Sequence, residues 1–140
     1  MTWFIYAALS ALFAALTAIL AKIGIKQVDS NLATAIRTVV IILFAWGIVV
    51  YQGTWKQLGD LSRPAIFFLV LSGITTGLSW LFYFRALQLG QTTTVVAIDR
   101  FSIVLTALFA VILLHEKLQL SSIVGIACIV VGTVLMTLGK

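Results

Sequence analysis

Residues Thr92 to Leu114 read TTTVVAIDRFSIVLTALFAVILL. At 1.5 Å per residue, a helix of this length crosses the roughly 30 Å hydrocarbon core of a bilayer. Asp99 and Arg100 lie about two turns inside it. On insertion scales an ionisable side chain near the centre of such a helix costs roughly 2.5–3.5 kcal/mol, and less nearer an end. Groups of this kind face a bundle interior, pair with a partner, or touch a water-filled path. Ser102 and Thr106 follow Asp99 at helical spacing, so the three share one face, while Leu105, Leu108 and Ile112 lie elsewhere. The stripe either glues helices together or lines something.

The composition agrees with a membrane reading. Of 140 residues, 62% are hydrophobic and 9% charged, where a soluble domain runs nearer half and a quarter. One proline and ten glycines exclude a fibrous or low-complexity chain. The single cysteine, Cys128, cannot form an internal disulfide and reads as a small buried hydrophobe. The net charge of +5 is scattered, without the basic patch that nucleic-acid binding requires.

Five apolar segments are expected as helices at about 3–26, 31–51, 64–89, 92–114 and 120–138, one transmembrane domain spanning 1–140. The fold class is therefore all-α, a polytopic membrane helix bundle with five transmembrane helices, partnered by the lipid bilayer. The first segment has no basic n-region and reads as a retained helix rather than a signal peptide. Ser30-Asn31 is expected to cap the second segment, Thr92 the fourth and Ser121-Ser122 the fifth, while Pro64 suits a first helical turn. Short connections make consecutive helices antiparallel neighbours. Trp3, Trp46, Tyr51 and Trp55 fall near membrane boundaries. Trp80 lies well inside the third helix, as core or cavity lining.

The third segment repeats the polar stripe with Ser72, Thr75, Thr76, Ser79 and Tyr83. Gly73 and Gly77 form a small-xxx-small pair, and Gly125 and Gly132 share a face of the fifth segment, both patterns suited to helix packing or a dimer contact. In the second, Thr34, Arg37 and Thr38 share a face, with Arg37 about two turns deep. Helices one to four are thus expected to surround a weakly polar space, although any single hydroxyl more simply bonds a nearby backbone carbonyl.

Arg37, Asp99 and Arg100 are the embedded ionisable residues, with Lys22 and Arg85 close to an end and free to snorkel. For Arg37 and Asp99, one reading is an interhelical ion pair. The other gives an anionic substrate group to Arg37 or Arg100, and an amine or proton to Asp99. The net positive balance of these groups suits an anionic or zwitterionic metabolite. Ser102, Thr106, Ser79, Trp80 and Tyr83 are expected along the same substrate or ion path. Basic residues divide three (Lys56, Arg63, Lys117) against four (Lys22, Lys26, Arg85, Lys140) between the two sides, too even to fix an orientation. That balance is compatible with insertion both ways up and an antiparallel homodimer.

An enzyme is not expected. His115 is the only histidine and lies at a boundary. Neither a metal site, nor a Ser-His-Asp set, nor a phosphate-cradling glycine motif can be assembled. No cofactor is expected.

Tyr83-Phe84-Arg85-Ala86-Leu87, Ile98-Asp99-Arg100-Phe101-Ser102, Leu113-Leu114-His115-Glu116, Gly125 and Gly132 together resemble the EamA family of the drug/metabolite transporter superfamily. Lys22 and Arg37 fit the opening half, so the resemblance covers the whole chain. It departs at His115, where the family usually has glycine before the glutamate. Most members have two five-helix repeats of opposite orientation, and this chain resembles one stand-alone repeat. The resemblance implies a transporter of small metabolites, often an exporter, working with a second copy, most simply in an antiparallel homodimer. Together these readings predict a homodimeric carrier that works by alternating access in a prokaryotic cell (inner) membrane. The alternative is a non-transporting membrane subunit that assembles with or stabilises another membrane protein. The small multidrug resistance proteins are relatives that rely on a glutamate in the first helix, and the first helix here has no acid.

Overall fold

The computed structural model describes residues 2–138. Its helices are α1 (Thr2–Gly24), α2 (Ser30–Gln52), α3 (Arg63–Leu89), α4 (Thr92–Asp99), α5 (Ser102–Leu114) and α6 (Leu120–Leu138), with a 3₁₀ segment at Thr54–Asp60 between α2 and α3. No strand occurs among the described residues. Five spans are long and apolar enough to cross a membrane, with α4 and α5 together making the fourth. The protein is an all-α, integral multi-pass membrane protein.

Local chemistry sets the helix ends. Asp29, rather than Ser30 or Asn31, caps α2: its Oδ1 accepts from the backbone N–H groups of Asn31 (2.9 Å) and Leu32 (3.2 Å). The Asp29 carboxylate also complements the positive end of the helix dipole. Gly53 ends α2 at φ 70°, a left-handed position that costs glycine nothing, and its N–H reaches the Val49 and Val50 carbonyls. Ser62 Oγ accepts from Ala65 N at 3.3 Å and caps α3, with Pro64 inside its first turn. Gln91 precedes α4 without a side-chain cap bond, so Thr92 is its first helical residue.

The fourth span is interrupted. Arg100 N and Phe101 N bond the carbonyls three residues back, Ala97 at 3.1 Å and Ile98 at 2.9 Å. Ile103 N and Val104 N do the same to Arg100 and Phe101, both at 3.0 Å. This is 3₁₀ spacing, a tighter winding that separates α4 from α5.

The chain divides into two compact units, residues 20–88 and residues 2–19 with 89–138 among those described. In the 20–88 unit the core lies at the α1–α2 connection and the end of α3. Ile25, Phe84 and Leu87 are buried there, as are Ser30 and Thr34. Lys22 Nζ donates to the Leu87 carbonyl, one of the groups that a helix C-terminus leaves unsatisfied. Gln88 Nε2 reaches the Ile25 (3.3 Å) and Val28 (3.0 Å) carbonyls, while its Oε1 accepts from Arg85 Nη1 at 2.8 Å. Lys22 therefore ties the end of α1 to the end of α3 instead of only snorkelling.

In the other unit, α4 packs on α6. The buried Thr133 hydroxyl lies 2.9 Å from the Ile129 carbonyl of its own helix and 3.3 Å from the Ala97 carbonyl of α4. In both units most large apolar side chains stay exposed on the single chain. In hydrocarbon that exposure carries no penalty, because lipid tails are as apolar as leucine.

Candidate functional site

Trp80 and Phe84 lie four residues apart on α3 and so stack on one face of that helix. Arg37, seven residues after the first residue of α2, reaches across to them. Its Cζ lies 4.2 Å from the Phe84 ring centroid and 5.7 Å from that of Trp80. Both distances fall within cation–π range, where the quadrupole of each ring attracts the guanidinium. Phe84 is only 1% exposed, and Trp80 and Arg37 are half-buried. Tyr83 packs edge-on against Phe84, with centroids 5.5 Å apart and planes at 71°.

One atom of this arrangement is unsatisfied. Arg37 Nη1 is buried and has no hydrogen-bond partner among the described residues. Ring faces neutralise part of the charge but accept no in-plane N–H bond of ordinary strength. A buried donor left unmade costs about 1–3 kcal/mol, more when charged. The guanidinium is thus oriented by its neighbours and still short of an acceptor. A planar donor fork in that condition matches a carboxylate or phosphate.

The remaining site residues foreseen from sequence fall as follows. Ser79 is exposed, one residue before Trp80. The Thr75 and Thr76 hydroxyls turn back to their own helix, Thr75 to the Leu71 and Ser72 carbonyls (3.2 and 2.9 Å) and Thr76 to Ser72 (2.8 Å). Thr34 and Thr38 do likewise on α2, to the Ser30 and Thr34 carbonyls at 2.8 and 2.9 Å. Each of these four hydroxyls thus bonds a nearby backbone carbonyl of its own helix. Asp99, Arg100, Ser102 and Thr106 are all exposed in the other unit, with Asp99 the last residue of α4 and Ser102 the first of α5. A Cβ added at Gly73, Gly77, Gly125 or Gly132 meets nothing within 4 Å. Among the described residues no group of three or more metal-ligating side chains occurs.

Two residues escaped the sequence reading as contributors. Phe84 had a usable signal, its place one turn beyond Trp80. Gln88 had none, since the carbonyls it binds lie more than 59 positions away in the chain.

The chain is 47% identical over 135 residues to a Sinorhizobium protein described as an uncharacterized transporter in the cobO 3' region, covering 96% of each chain. No solved structure matches it. Residues 1–138 match the EamA-like transporter family, and with five apolar spans of single-repeat type the chain belongs to that family of membrane transporters.

Proposed function

We propose that this protein carries a small anionic or zwitterionic metabolite across the membrane by alternating access, as a homodimer, and that Arg37 receives the anionic group. The observation that carries this reading is the buried, unpartnered Nη1 of Arg37 beneath Trp80 and Phe84. A carboxylate or phosphate arriving there supplies the missing acceptor in charge-assisted bonds, which are about twice as strong as neutral ones. The rings pre-orient the guanidinium, so little side-chain entropy is lost on binding. Ser79, Trp80 and Tyr83 continue the path along α3. Export is the direction that the resemblance to the family suggests. Gly73, Gly77, Gly125 and Gly132, which meet open space on the single chain, are available for the approach of a second copy.

The test compares metabolites inside and outside cells that express wild type, Arg37→Gln or Arg37→Lys at matched membrane levels. Wild type is expected to redistribute a compound bearing a carboxylate or phosphate. Arg37→Gln should lower that flux at least about tenfold, equivalent to 1.4 kcal/mol of anion binding. Arg37→Lys should rescue it only in part, because an ammonium keeps the charge but neither the fork nor the flat face. Wild-type flux from a folded Arg37→Gln protein overturns the anion assignment. Absence of any redistributed compound favours the non-transporting subunit.

A further inference from the structure

We propose that Asp99 and Arg100 form a self-complementary patch on which a second copy of the chain docks, the Asp99 of each copy meeting the Arg100 of the other. The proposal rests on the homodimeric reading above and names the surface that joins the copies. Asp99 lies about 10 Å inside the fourth span, counted at 1.5 Å per residue from Thr92. Both side chains are exposed on the single chain. Among the described residues neither makes a side-chain hydrogen bond or ion pair.

Two adjacent charges exposed on the single chain at that depth of an apolar span are costly unless protein or water covers them. They cannot cover each other, since consecutive residues of a helix diverge by about 100° and do not face one another. Lipid headgroups offer poor cover at this depth. A copy related by a two-fold axis along the membrane normal, which keeps both patches at one depth, answers both charges at once, because in such an interface residue i meets j while j meets i. The two signs are equal in number, so the patch is its own complement. Ser102 and Thr106, also exposed, continue it along α5 with groups able to hydrogen-bond across. Asp99 is then an interface residue, not the amine receptor that the sequence alone suggested.

Charge reversal tests this. Asp99→Arg or Arg100→Asp alone places like charges opposite one another, and each should lower the dimer fraction in detergent or liposomes at least about tenfold. The double variant Asp99→Arg/Arg100→Asp restores both attractions and should dimerise within about threefold of wild type. Co-expressed under different tags, the two single variants complement each other and should pull each other down in preference to themselves. Dimers indifferent to the single reversals, or folded single variants that neither the double variant nor co-expression rescues, overturn the proposal. Should the reversals fail to accumulate in the membrane, Ser102→Cys on a Cys128→Ser background decides. An oxidant-dependent covalent dimer supports the patch, and its absence overturns it. Arg37→Gln should lose flux yet keep the dimer, so the two proposals fail separately.

Discussion

His115 closes α5 at φ 54°, ψ 31°, with its N–H and that of Glu116 turned back to the Ala110 carbonyl. It is the only non-glycine residue at positive φ among those described. That backbone position brings Cβ toward the following carbonyl and costs an L-residue roughly 1–2 kcal/mol, although histidine tolerates it better than most. A glycine at position 115 would end the helix without that cost. His115→Gly should raise stability by up to about 1 kcal/mol, part of the gain being returned to the freer unfolded chain. His115→Val should lower it by about 1–2 kcal/mol, since a β-branched residue fits positive φ worst. Unfolding in detergent reads both. Equal losses for glycine and valine mean that the imidazole matters and the backbone does not.

At the scale of the element, the fourth span is two helices joined by a 3₁₀ turn, and Thr133 of α6 supports the joint. Its hydroxyl faces the Ala97 carbonyl, which also accepts from Arg100 N across the turn. Thr133→Val keeps the shape and removes the bond. Interhelical bonds of this type average about 0.6 kcal/mol and reach about 1.7, so a loss within that range is expected, read by unfolding in detergent. Unchanged stability means that the Ile129 carbonyl alone satisfies the hydroxyl.

The five spans were legible because their apolar runs exceed what any soluble core helix needs. The joint was not: neither glycine nor proline lies between Thr92 and Leu114, and the pair Asp99-Arg100 signals a functional site without signalling a backbone change. Arg37 was legible as a charge in a greasy helix. Its aromatic partners required knowing how α2 and α3 pack, which single-helix periodicity does not contain.

For the whole molecule, the basic residues outside the deep spans divide three against four: Lys56, Arg63 and Lys117 against Lys22, Lys26, Arg85 and Lys140. Orientation in the membrane follows the excess of lysine and arginine in short loops, so a near-even division leaves both orientations open to each copy. A self-complementary patch at Asp99 and Arg100 joins copies inserted the same way up, because antiparallel copies would hold the two patches roughly 12 Å apart in depth, so orientation bears directly on that patch and has its own experiment. Adding two lysines to the 115–119 connection tips the balance in one sense, and adding two to the 25–29 connection tips it in the other. If the carrier is an antiparallel dimer, each locked variant alone should lose at least about nine-tenths of wild-type flux, while their co-expression restores it. Reporter fusions should show wild type in both orientations and each locked variant in one. A locked variant that transports alone at the wild-type rate means that parallel copies suffice, and the near-even loop charges then have no part in the mechanism.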